Sequence, residues 1–260
     1  MKSRKPFAAV LAACTVLGLT AAAGAAITEV GNSEYFTYRY EFDDGKKPEE
    51  ADIDGNSTFD FTLFGGYGTS TVSGGILTME TTSKPGDHSY LSSAANQIWD
   101  VAAPTLATGY TIETRVKIAT DPALPYPLSI LASPGGTGAH AYLRVDEAGQ
   151  WWRSTPLGGT LSNDDDFHTF RIAQQPGSAT YSVWRDGVLL SGTLSSGYTN
   201  SAFDRLVFGD TSSSHAGKVE IDYFRFTNGA FAPIVPEPSS LVVWALAVAM
   251  LLWCGRRGRK

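Results

Sequence analysis

The chain has 260 residues, a net charge of −6 and two cysteines. Three of its 20 basic residues fall in the first five positions and four in the last five, so the stretch between holds 13 against all 26 acidic residues, a net charge of −13. An acidic stretch without a basic cluster excludes a nucleic-acid binder, whose affinity comes from Lys and Arg on phosphates, and Cys14 and Cys254 sit in separate terminal apolar runs, leaving the part between them without a disulfide.

Residues 1–25 put Lys2, Arg4 and Lys5 before an apolar run that ends in Ala23, Gly24 and Ala25, the three-part layout of a secretory signal peptide. The mature chain is expected to begin near Ala26. A competing reading takes Leu11 to Cys14, "LAAC", as a lipobox with Cys14 as a lipidated N-terminus. The next stretch, residues 27–231, has the length of one domain.

Short runs rich in β-branched and aromatic residues, separated by Gly, Pro, Asn, Asp and Ser, predict strands over most of this domain. They cover Tyr35–Phe42, Phe59–Phe64, Gly75–Thr82, His88–Ser92, Tyr110–Ile118, Pro127–Ser133 and Ala139–Glu147. The series continues with Gln150–Ser154, Phe167–Gln175, Ala179–Arg185, Val188–Gly192, Asp204–Asp210 and Gly217–Phe226. No pattern of helical period is long enough for a core helix. About a dozen strands without long helices predict an all-β fold of two antiparallel sheets packed face to face. In Tyr110–Ile118 the alternation puts Tyr110, Ile112, Thr114, Val116 and Ile118 on a packed face and Thr111, Glu113, Arg115 and Lys117 on a wet one.

Candidate chemistry is sparse. In "DIDGNST", Asp52, Asp54 and Asn56 alternate around Gly55 as in a Ca²⁺ loop, although no terminal Glu follows at EF-hand spacing and an Asx-Gly turn gives the same pattern. Asp164, Asp165 and Asp166 offer carboxylates to a hard cation or form a solvated turn. Trp151 and Trp152 are adjacent in a strand and so face opposite ways; the outward one can stack on a sugar ring or cover a sheet edge. His88, His140, His168 and His215 are too scattered to pair on a metal. Asp186-Gly187 is the strongest hairpin signal, because a primed two-residue turn needs the positive φ these residues tolerate.

Residues 232–240 read as a linker with three prolines, and residues 241–260 as a transmembrane helix with a basic end. From Ser239 to Gly255 a helix is about 26 Å long against a hydrocarbon core of about 30 Å, a gap that snorkelling arginines close. Arg256, Arg257, Arg259 and Lys260 keep that end cytoplasmic, so the domain lies outside.

Two resemblances follow from these residues. Phe167, His168, Phe170 and Arg171, then Tyr181, Val183, Asp186 and Gly187, then Phe208 and Gly209, then Ile221 and Asp222 match the order found in the back half of laminin-G-like, concanavalin A-like jelly rolls. The chain from Phe167 to Phe231 thus resembles that superfamily, which implies a jelly-roll sandwich and leaves the activity open. Some of its members are laminarinase-type glycosidases with a Glu-x-Asp core; Glu220 and Asp222 match that core, but Phe224 stands where the second catalytic carboxylate belongs. The C-terminus, with Pro236, Glu237 and Pro238, then an apolar run, then the basic end, resembles the PEP-CTERM sorting signal of bacteria. That resemblance implies an exosortase-like membrane protease as partner and delivery to the cell surface or extracellular matrix; a permanent single-span anchor is the alternative.

The expected function is an exported, surface-sorted, non-catalytic binding or adhesion module directed at extracellular polysaccharide, with Ca²⁺ as the one candidate cofactor. A structural matrix or biofilm component without a discrete ligand, and a jelly-roll glycoside hydrolase or lyase, are the alternatives.

Overall fold

The structure is a computed structural model that describes residues 28–29, 35–81, 87–120, 126–135, 139–196, 204–212, 214 and 216–234. The signal segment, Pro236, Glu237, Pro238, the apolar C-terminal run, its basic end and His215 lie outside the described residues. Among the described residues no helix is long and apolar enough to cross a membrane.

In chain order the strands are β1 (Thr28–Glu29), β2 (Tyr38–Tyr40), β3 (Thr62–Phe64), β4 (Thr69–Ser73), β5 (Ile76–Glu80) and β6 (His88–Ser92). After the short helix α1 (Ile98–Ala102) come β7 (Tyr110–Thr120), β8 (Leu128–Ser133), β9 (Ala141–Asp146), β10 (Gly149–Trp152), β11 (Thr155–Leu157) and β12 (His168–Gln174). The last five are β13 (Tyr181–Arg185), β14 (Val188–Leu194), β15 (Arg205–Asp210), β16 (Gly217–Asn228) and β17 (Phe231–Ala232).

They form the two antiparallel sheets expected of an all-β sandwich. One has seven strands in the order β11-β10-β9-β8-β15-β6-β3; the other has eight, in the order β14-β13-β12-β7-β16-β5-β4 with β2 also on β16. A parallel pair of β1 with β17 ties the start of the domain to its end. The core between the sheets is built by alternate residues of each strand. Phe208 stacks on Phe224 across the sandwich at 4.2 Å between ring centroids, and Phe61 meets both edge-on. Two buried polar groups of this core are met: Tyr110 Oη donates to Ala132 O, and Trp99 Nε1 donates to Ser133 O and Asp204 Oδ1.

Three departures from the sequence reading have physical causes. The short helix α1 lacks the length that gives a periodic signal, yet it sinks Ile98 and Trp99 into the core. A further hairpin, β4 to β5, turns at Gly74-Gly75, where both residues have positive φ. The face of β7 expected to be wet is buried in its first half, since Thr111 and Glu113 are at most 2% exposed. Arg171 and Arg225 donate to Glu113 and the Phe36 ring lies against both guanidinium groups, while Thr111 Oγ1 donates to Gly229 O and accepts from Phe231 N.

Candidate functional site

Strand register places the outward residues of the seven-stranded sheet in two adjoining rows. One row runs Thr62, Leu91, Val207, Leu131, Tyr142; the other runs Phe64, Ser89, Gly209, Ser129, Arg144, Trp151. The middle of the second row is Ser-Gly-Ser, so its floor is low, while large side chains stand at both ends. Gly209 has φ of 120°, and a Cβ there would come within 2.9 Å of Met79, the His88 carbonyl and Ser89, so no other residue fits. Along the first row lies a groove of about 270 Å³ lined by Leu91, Val207, Leu131 and Tyr142 together with Phe64, Ser89, Arg205 and Thr211. Phe64, 53% exposed on the edge strand β3, forms one bank.

Tyr142 also lines the groove, and an aromatic group joined to it through Arg144 stands beside it. Trp151 is half-buried on the outer face and meets Tyr126 edge-on at 4.8 Å. The Arg144 guanidinium lies 5.4 Å from the Tyr126 ring and 4.7 Å from the Tyr142 ring, and donates twice to Tyr142 Oη. Tyr126 holds its place with φ of 69°, an uncommon conformation for a non-glycine residue and one that clusters at functional sites. Trp152, by contrast, belongs to the core: it is 5% exposed, packs against Tyr181 at 5.1 Å and donates its Nε1 to Ser195 O. Of the two tryptophans named from the sequence, only Trp151 is on a surface.

The carboxylates that suggested glycosidase chemistry lie on the other sheet, away from this groove. Glu220 accepts from Lys218 at 2.5 Å and Asp222 from Arg115 at 2.6 Å. Glu113, near them on the same outer face, is held by three donors: Arg171 at 2.5 Å, Arg225, and Tyr223 Oη at 3.0 Å. Each of the three carboxylates is thus already paired with a cation.

The acidic motifs divide as well. Asp52 and Asp54 converge, but Asn56 turns its carboxamide oxygen to Thr58 N and its amide to Asp54 Oδ2 and Asn96 O. The third oxygen donor is Asp60, which the sequence reading took as a strand residue: one carboxylate oxygen from each of Asp52, Asp54 and Asp60 lies within 4.8 Å of the others. Burial pushes the Asp60 carboxyl up to about 6, and the charges of Asp54 and Asp52 add to it. Asp164, Asp165 and Asp166 do not converge; Asp165 pairs with His168 at 2.9 Å, Asp166 caps Phe167 N and Asp164 accepts from Ser162. His168 also bonds Asp186 at 2.8 Å and so ties the β13–β14 turn to β12. His88 bonds Ser70 Oγ, and His140 is fully buried.

The sequence reading missed Phe64, Tyr126, Tyr142 and Arg144. Tyr142 and Arg144 alternate with core residues in β9, a signal that could have singled them out, whereas Tyr126 precedes a proline outside any strand and carries none.

No family model matches the chain, and no curated protein matches it either. Among solved structures it is similar to a carbohydrate esterase from the Shiga toxin-encoding bacteriophage phi24B, at 18% identity and a TM-score of 0.50, over 75% of this chain and 98% of that one. It also matches an endo-acting O-glycanase from the human gut microbiota, at 11% identity and a TM-score of 0.47, over 74% and 99%. A third match is the binding domain of botulinum neurotoxin DC, at 11% identity and a TM-score of 0.48; 75% of this chain is covered, but only 48% of that one. At 18% identity the first likeness is one of fold, a jelly-roll-like two-sheet sandwich.

Proposed function

We propose that the protein is an exported, surface-sorted, non-catalytic module that binds extracellular polysaccharide on the outer face of its seven-stranded sheet. The observation that carries this is the groove of about 270 Å³ that has Phe64 and Tyr142 among its lining residues, with Tyr126 and Trp151 joined to Tyr142 through Arg144 beside it. Sugar rings present apolar C–H faces and polar rims, and a groove lined by Leu91, Leu131 and Val207 together with Phe64 and Tyr142 suits such a shape. Arg144 supplies N–H donors beside those rings, and among the described residues it forms no ion pair with a carboxylate.

Export and sorting are supported by the sequence alone: the basic-apolar-small order of residues 1–25 and the order of Pro236, Glu237 and Pro238, apolar run and basic end. The partner of that tail is an exosortase-like membrane protease, which releases the domain to the surface or matrix. Against hydrolysis speaks the pairing of Glu220 and Asp222 with cations on the sheet opposite the groove.

A glycan array probed with the full chain in mild detergent tests the binding reading. Retention on one or more polysaccharides, lost in Trp151→Ala and in Tyr142→Ala, is expected. Equal retention of both variants and the wild type would place binding elsewhere and overturn the assignment to this face.

A further inference from the structure

We propose that the outer face of the eight-stranded sheet carries a second binding pocket, separate from the groove, that takes a small ligand through a single carboxylate group. Strand register sets its floor. Glu113 on β7 stands opposite Arg171 on β12 and opposite Arg225 on β16, so three adjacent strands put cation, anion and cation in one row. In the next row on this face Thr169 and Tyr223 flank Arg115. Asp186 of the β13–β14 turn lines the pocket from one element, Pro233 and Ile234 from the segment after β17, and the cavity among them is about 260 Å³.

Arg225 is the informative member. Its Nε and Nη2 both donate to Glu113 Oε1, while Arg171 holds Oε2 with its own Nε and Nη2, each at 2.5 Å. One carboxylate thus serves two guanidinium groups whose side chains are only 11% and 4% exposed. The other carboxylate of the pocket, Asp186, is met by Arg185 and His168, and Arg115 and Lys218 on this face have Asp222 and Glu220 to themselves. Arg225 has no anion of its own. A buried cation without a full counter-charge is costly, so the Arg225 end of the row is short of negative charge. Its Nη1 bonds no described residue and is the open donor at the pocket. The Phe36 and Tyr223 rings, with centroids 4.6 and 4.3 Å from the guanidinium carbon, hold the group so that this edge keeps its direction.

These features select the ligand. A planar carboxylate matches a guanidinium edge and supplies the missing charge, which a hydroxyl does not. The net charge of −13 between the terminal runs repels a ligand in proportion to its own charge, so the pocket suits a monoanion and not a polyanion.

The test is a ligand-observed NMR titration of the full chain in mild detergent at low salt, with acetate, D-glucuronate and the neutral isostere acetamide as probes. Saturable binding of one or both acids is expected, with none of acetamide at the same concentrations; the tighter acid tells whether a sugar ring adds to the carboxylate. Ile234 is 53% exposed at the pocket, so a charge can be placed there without touching the core. Ile234→Asp should weaken acid binding about threefold or more and Ile234→Lys should tighten it by a similar factor, both effects fading as salt rises. Arg225→Lys, which keeps the charge and loses the fork, should weaken it further, and the Ile234 pair keeps the test independent of any cost of that change to the fold. Trp151→Ala, on the opposite sheet, should leave acid binding unchanged. Equal binding of acetamide, no saturable binding of either acid, effects of the same sign in the two Ile234 variants, or loss of binding in Trp151→Ala would overturn the proposal.

Discussion

Glu113 shows how one side chain can decide the character of a sheet face. Its two oxygens serve Arg171, Arg225 and Tyr223 while Phe36 lies over both guanidinium groups. Replacing it by Ala leaves two buried cations without an anion, so Glu113→Ala should cost about 3–5 kcal/mol by urea denaturation. Nothing in the alternation of β7 reveals this, because period-2 patterning separates two faces without saying whether another segment covers the polar one. The two tryptophans show the same boundary. That Trp151 and Trp152 face opposite ways was legible; which one faces the core depends on register with β9, where Trp152 lies opposite Leu143. Trp152→Ala should therefore cost about 3–5 kcal/mol, and Trp151→Ala much less, when their denaturation curves are compared. Asp210 adds a pH dependence. It is buried, accepts from Thr81 Oγ1 and Ser212 N, and burial, with Asp87 nearby, pushes its carboxyl up to about 7. Between the unfolded value near 3.9 and about 7 the folded state holds the extra proton, so stability falls as pH rises through that window, by at most about 1.4 kcal/mol per unit. Asp210→Asn should flatten this slope in melting curves taken from pH 4 to 8.

At the scale of elements, the β13–β14 hairpin was readable from Asp186-Gly187, and the structure adds what fixes it. Asp186, at φ of 51°, accepts from Thr169 N at 2.9 Å and bonds His168, so one turn residue fastens β14 to β12 across β13. Asp186→Ala loses both bonds and keeps a left-handed conformation that Ala disfavours, for a cost of about 1–3 kcal/mol in chemical denaturation. His168→Gln, which keeps a hydrogen-bonding side chain, should cost less. The groove is likewise a product of elements more than of a motif. Phe64 is far in sequence from Tyr142 and Trp151 and shares a face with them only because β3, β6, β15, β8, β9 and β10 align in that order. Single strands give the alternation; their order in the sheet rests on long-range pairing that local pattern does not carry. The Asp loop was half legible for the same reason: Asp52 and Asp54 are local, and Asp60 joins them only once the chain turns.

At the scale of the whole molecule, the net charge of −13 between the terminal runs bears on the ligand. A polyanionic polysaccharide would be repelled at long range, so binding to a polyuronate should be weaker than to a neutral glucan or galactan and should improve with salt. A cysteine-free domain should also melt at the same temperature with and without reductant. For the tail, Pro238→Ala or removal of Arg256, Arg257, Arg259 and Lys260 is expected to leave the chain uncut in the inner membrane, which mass and fractionation would register. Whether the seven-stranded sheet carries the ligand is decided by isothermal titration with the array's best neutral oligosaccharide. Saturable one-site binding by the full chain is expected, weakened at least about tenfold, or about 1.4 kcal/mol, in Trp151→Ala and unchanged in Glu220→Gln. Binding lost in Glu220→Gln and kept in Trp151→Ala would contradict the seven-stranded sheet as its site.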